Sequence, residues 1–161
     1  MNYKSKVVDE NILFLLEKGK DMLEKVLKPK FCSKICNYNG ILIGEDIKNH
    51  LKNSKEIFFL AATLGVEVDK LINKTSLTDL TLSFCIDSLA DTAIENFCDE
   101  IENNIREKHT SRFSPGYGDY PIEIQPKFLN FLNSNKQIGL SCTDTYIMTP
   151  RKSVTAVIGL L

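Results

Sequence analysis

The sequence predicts an α+β domain with an at least partly antiparallel sheet. Three observations predict it. Helical periodicity dominates the start and the middle of the chain, a continuous apolar run fills Ile57 to Ala62, and strand-like segments gather near the end instead of alternating with helices. The 161 residues suit one compact domain, taken as 1–161 with an N-terminal amphipathic helix over 1–30. Apolar residues make up 43% and charged residues 25%, which excludes wholesale disorder. The net charge of −1 gives no global electrostatic reason to bind nucleic acid. No apolar run approaches the ~20 residues of a membrane helix, so no membrane partner is expected. The basic start, Met1 to Lys6, leads into a charged helical pattern without the apolar stretch of a signal peptide. The five cysteines are odd in number and irregularly spaced, which reads as reduced thiols in a cytoplasmic protein.

The first helix follows from Ile12, Leu15, Leu16, Met22, Leu23, Val26 and Leu27, with Gly19 in one expected position. Asp9 is its expected cap, and Pro29 ends it. Such a one-sided stripe packs on its own domain or on a partner. Phe31 to Ile43 reads as a loop with extended pieces, with turn chemistry at Asn37-Tyr38-Asn39-Gly40 and a short apolar run at Ile41-Leu42-Ile43. Gly44 to Leu51 reads as a short helix, Ile57 to Ala62 as a strand buried on both faces, and Val66 to Ile72 as helical. Ser76 and Asp79 have capping-box spacing, and a long helix is expected from there to about Lys108. Arg112 to Pro121 is dense in turn residues, and a short helix follows near Pro126 to Leu132. Gln137 to Met148 and Val154 to Leu160 read as two strands, joined as a hairpin by Thr149 to Ser153.

Motifs for phosphate loops, dinucleotide binding, nucleophile elbows and His-based zinc sites are absent. Cys32-x-x-x-Cys36 lacks the second ligand pair of a zinc site. The long helix is anomalous. Asp87, Asp91, Glu95 and Asp99 lie four apart, and Asp87 to Glu107 holds seven acids against one base, Arg106. Like charges at that spacing cost roughly 0.2–0.5 kcal/mol per pair in an isolated helix. Either the acids form a solvated face, or some meet a cation, being Arg112 or a ligand's ammonium or sulfonium. In the loop, Arg112 offers a rigid fork of donors suited to a carboxylate. Pro115, Gly116 and Gly118 allow a tight turn, and Tyr117 and Tyr120 add flat faces and hydroxyls.

Four ordered blocks resemble one family. They are Phe59 to Gly65 with Val68-Asp69, the acidic helix Asp87 to Arg106, the loop Arg112 to Pro121, and Ser141 to Val154 with its Pro150-Arg151-Lys152-Ser153 run. Together they resemble the activation domain of cobalamin-dependent methionine synthase, in a short free-standing form, over about Gly40 to Leu161.

The resemblance implies a C-shaped single domain with a twisted, largely antiparallel sheet, a long helix and a C-terminal hairpin. It implies binding of S-adenosylmethionine, presented above a cobalamin held by a partner. That partner would be a methionine synthase or other corrinoid methyltransferase on a separate chain. One electron from a flavodoxin-like reductase then allows remethylation of the inactive cob(II)alamin. By the same resemblance Arg112 grips the ligand carboxylate, the Ser114 backbone contributes beside it with Pro115, Gly116 and Tyr117, and Glu95 is the acid on the long helix. No catalytic side chain and no metal ligand is implied, since the chemistry lies in the cofactors. The family's N-terminal ligand-binding aspartate and downstream tyrosine pair have no counterpart in these 161 residues. An interaction module that keeps the fold but binds ligand weakly or not at all is therefore the alternative. An independent methyltransferase is the weaker third, for want of a Gly-rich nucleotide loop.

Overall fold

The structure, a computed structural model, describes residues 10–38 and 42–161. Asp9, Asn39, Gly40 and Ile41, named above as cap, turn and apolar run, lie outside the described residues. The sheet is β1 (Lys30–Asn37), β2 (Glu56–Thr63) and β5 (Ser153–Leu160), with β2 in the middle and both pairings antiparallel. The register runs from Lys30↔Thr63 to Asn37↔Glu56 on one side and from Glu56↔Leu160 to Thr63↔Ser153 on the other.

Successive residues of β2 face opposite layers, as the pleat requires. Leu60 and Ala62, with Phe58, pack into a core with α1 (Glu10–Glu24), α3 (Val66–Ser76) and α4 (Leu80–Asn103). Ile57 and Ala61, with Phe59, pack into a second core that holds Ile47 and Leu51 of α2 (Glu45–Leu51) and Phe128 and Leu129 of α5 (Gln125–Phe131). This second core also takes Ile138 of α6 (Ser134–Ile138). The strand is thus buried on both faces, as its uninterrupted apolar run predicts.

The amphipathic stripe of α1 packs on its own domain. Gly19 lets α1 approach α4 closely, since a Cβ there would lie 3.2 Å from Ile86 and 3.3 Å from Leu89.

Four expectations need correction. Phe31 to Asn37 is a full strand, read as a loop because Ser33, Lys34 and Asn37 dilute its apolar signal. Ser76 closes α3, with its hydroxyl donating to the Asn73 carbonyl; Asp79 alone caps α4, its carboxylate accepting from the Leu82 amide at 2.9 Å. The long helix stops at Asn103, short of Lys108, because Lys108 to Phe113 pair with the outer edge of β5. Gln137 to Met148 is not a strand beside β5. Its first residues end α6, where Gly139 stops the helix in the left-handed conformation at φ 71°. The C-terminal hairpin is instead the small pair β3 (Ser141–Cys142) and β4 (Met148–Thr149), and β5 leaves it to pair with β2.

Candidate functional site

Arg112 is set in place by the strand-like segment that carries it. Thr110 and Phe113 donate their amides to Gly159 and Val157 carbonyls, and Val157 returns a bond to Phe113. His50 Nε2 donates to the Ser111 carbonyl at 2.8 Å, and its ring lies 5.0 Å from that of Phe113. The guanidinium is therefore held at the sheet edge, facing the acidic face of α4.

There it meets three carboxylates. Nη2 lies 2.9 Å from Glu95 Oε2 and 2.8 Å from Asp99 Oδ1, and Nη1 lies 3.2 Å from Glu102 Oε2. The Arg112 side chain is only 17% exposed, whereas Glu95 and Asp99 are 60% and 58% exposed. Burial works against the guanidinium charge, but the hydrogen bond with Asp99 and the attraction of Asp99 and Glu102 outweigh it, so its pKa rises. Nη1 is buried without completing a hydrogen bond, which leaves donor capacity on the fork. One positive charge faces three negative ones, so the site has an acidic surplus.

After Arg112 the chain makes nested turns. Tyr117 donates its amide to the Ser114 carbonyl at 3.1 Å, Tyr120 to Tyr117 at 3.0 Å, and Gly116 to Tyr120 at 2.8 Å. Gly116 sits at φ +92°, a conformation that favours glycine. The loop is anchored from outside by α2. Asp119 accepts from the amides of Glu45 (2.6 Å) and Asp46 (3.0 Å), and Asp46 accepts from the Asp119 amide at 3.2 Å. This is a capping exchange across 73 residues of sequence.

The loop, α4 and the β3–β4 hairpin together line a cleft of about 620 Å³. Of the sequence-predicted residues, Glu95, Arg112, Ser114, Pro115 and Tyr117 line it, and Gly116 shapes the loop behind it. Asp99 and Glu102, which the sequence places in the acidic run without assigning them to the ligand, also line it, and so do Tyr146 and Met148, which sequence reasoning missed. The four-residue spacing of the acids was the available signal for Asp99; Tyr146 and Met148 had none beyond lying in the fourth block.

The other half of the acidic stripe meets Lys152. Its Nζ lies 2.9 Å from Asp87 Oδ1 and 2.6 Å from Asp91 Oδ1. Burial disfavours the ammonium, yet the hydrogen bonds with Asp91 and Asp87 raise its pKa above the ordinary lysine value. Neighbours fix the same run. The Arg151 amide donates to Asp69, and the Ser153 hydroxyl lies 2.8 Å from Thr63 Oγ1 and 2.7 Å from the Pro150 carbonyl. The stripe is thus not simply a solvated face: two basic residues meet it.

Among the described residues no helix is long and apolar enough to cross a membrane. No protein-family model and no curated protein matches the chain. A solved structure does: the MetH reactivation domain bound to AdoHcy, at a TM-score of 0.76 and 20% identity, covering 97% of this chain and 67% of that one. The chain shares the fold of that solved domain, an α+β fold with an antiparallel sheet. The particular fold this chain shares is the one solved for methionine synthase, MetH, and the resemblance in the four sequence blocks holds at the level of fold.

Proposed function

We propose that this chain is an S-adenosylmethionine-binding accessory protein. It would support reductive remethylation of cob(II)alamin in a methionine synthase, or another corrinoid methyltransferase, on a separate chain. The observation that carries this reading is the convergence of Arg112, Ser114, Pro115, Tyr117 and Glu95 on one cleft, in a fold shared with a domain whose solved structure holds AdoHcy.

The residues present suit such a ligand. A cleft of about 620 Å³ is within the ordinary range of small-molecule sites. The spare donor capacity of Arg112 suits a carboxylate, and the exposed carboxylates of Glu95 and Asp99 suit an ammonium and a sulfonium. S-adenosylmethionine supplies the methyl group, and a flavodoxin-like reductase supplies the electron. The chain's own contribution is positioning. It holds the amino-acid end at the loop and balances the positive charge with α4. A nucleophile or general base is not needed from it, and a complete active site forms only with the corrinoid partner.

Calorimetric titration with S-adenosylmethionine tests this. The unaltered chain binds, and Arg112→Ala weakens binding roughly 10- to 100-fold, the effect of losing a charge-assisted hydrogen bond. Absence of binding by the unaltered chain overturns the reading.

One observation favours a second reading, an interaction module that has kept the fold and lost the ligand. Arg112 already has three carboxylate partners of its own. That reading predicts no thermal shift with S-adenosylmethionine and a stable complex with a corrinoid protein.

A further inference from the structure

Tyr146 has a backbone conformation that a tyrosine rarely adopts. Its φ is +67°, and Asn133 is the other non-glycine residue with positive φ among the described residues. The left-handed region brings Cβ of an L-residue too close to its own backbone, and asparagine tolerates it far better than a bulky aromatic residue. Such strain persists only where the surroundings over-determine it.

The surroundings here do so. Tyr146 closes the turn between β3 and β4. The Thr143 amide donates to the Ile147 carbonyl at 2.8 Å, and the Tyr146 amide donates to the Thr143 carbonyl at 2.9 Å. Thr143 Oγ1 accepts from the Ile147 amide at 3.2 Å and lies 2.9 Å from Thr145 Oγ1. A hairpin turn of this kind usually places glycine or asparagine at its left-handed position. A tyrosine there serves the turn badly. It does give the cleft something: Tyr146 is half-buried and lines the same cleft as Arg112 and Tyr117, together with Met148 of the adjoining strand.

We propose that Tyr146 is a ligand-binding residue whose ring stacks on the purine of the ligand, and that the turn keeps its strained conformation to present it. The inference rests on the S-adenosylmethionine reading of the cleft. Arg112 and the carboxylates of α4 have the chemistry for the charged amino-acid end. A planar base needs a flat apolar face instead, and base–aromatic stacking contributes enough to be read by substitution. The hairpin supplies that face from an element separate from the arginine loop.

The test uses the full chain and calorimetric titration with S-adenosylmethionine, and with 5′-methylthioadenosine, which keeps the adenosine and lacks the amino-acid end. Tyr146→Asn and Tyr146→Gly both accept the left-handed backbone and both remove the ring. Each is expected to weaken binding of both probes about 5- to 100-fold. The melting temperature stays equal to or above that of the parent, because the strain is relieved. Tyr146→Phe keeps the affinity. Arg112→Ala weakens S-adenosylmethionine and leaves 5′-methylthioadenosine unchanged. If the parent chain binds S-adenosylmethionine and Tyr146→Asn binds it equally well, the inference about Tyr146 falls and the reading of the cleft stands. Weakening by Tyr146→Gly alone assigns the loss to a loosened hairpin, and also overturns it. If the parent binds neither probe, the reading of the cleft fails and takes this inference with it.

Discussion

At the Lys152 end of α4 two aspartates share one ammonium; at the Arg112 end three carboxylates share one guanidinium. The local sequence logic is the same at both, acids four apart on a helix with a basic residue brought from elsewhere. The surroundings differ. Lys152 is 9% exposed, its backbone is tied to β2 through Leu64, and Asp87, Asp91 and Lys152 are all absent from the walls of the cleft. Arg112 and its three acids all line the cleft. The Lys152 end is a closed staple holding β5 against α4. The Arg112 end leaves a buried guanidinium donor without a completed hydrogen bond and an excess of negative charge along the cleft wall. An ion-pair network thus becomes a candidate site through what it leaves unsatisfied.

The strongest way to break this comparison is Arg112→Ala beside Lys152→Met. The arginine variant is expected to lose roughly 10- to 100-fold in affinity for S-adenosylmethionine. The lysine variant should bind as the parent does once folded, so equal losses of affinity in the two would erase the distinction.

Stability should divide the other way. Lys152→Met removes a charge-assisted pair whose acids are partly in water, Asp91 being 63% exposed, so the cost is discounted to about 2 kcal/mol. For a domain of this size that corresponds to a melting temperature lower by about 4–8 °C. An unchanged melting temperature would mean that the Lys152 end is not a staple.

Alkaline pH sharpens the contrast. The pKa of Lys152 is raised above its ordinary 10.5, so its ion pairs stabilise fully below that value, and the contribution is lost as pH rises through the folded value. The pKa of Arg112 is raised above the ordinary guanidinium value, so it keeps its charge over the same range. Burial also pushes the Cys98 thiol up to about 11 and the Tyr120 hydroxyl up to about 12. Both bind protons more tightly when folded, so their stabilisation is lost with the same sign. Thermal melts from about pH 8 to pH 12 should therefore show falling stability above about pH 9. Lys152→Met should flatten that limb without abolishing it. A slope identical to that of the parent would remove Lys152 from the titration.

The smallest expected effect probes the loop's anchor. Asp119→Ala leaves two α2 amides without their side-chain acceptor and should cost about 1 kcal/mol, read as a melting temperature lower by about 2–4 °C. A shift confined to within about 1 °C would show that the loop is held by its internal turns alone.

The local pattern of the chain determined much. The apolar run of β2, the helical stripe of α1, the long acidic helix and the turn-rich Arg112 loop are all readable, because periods of 3.6 and 2 are local properties of the sequence. Most of the candidate site was readable for the same reason: a guanidinium in a Pro-Gly loop and carboxylates on one helix face are recognisable before their contact is known. The tertiary structure alone decided which cation each acid meets. Lys152 reaches Asp91 across 61 residues and Arg112 reaches Glu95 across 17. It also decided that β5 pairs with β2, that Asp119 caps a distant helix, and that a tyrosine is held left-handed at the cleft. These are pairings between distant segments, chosen by burial and by the satisfaction of backbone and charge. A residue's neighbours in sequence carry no record of them.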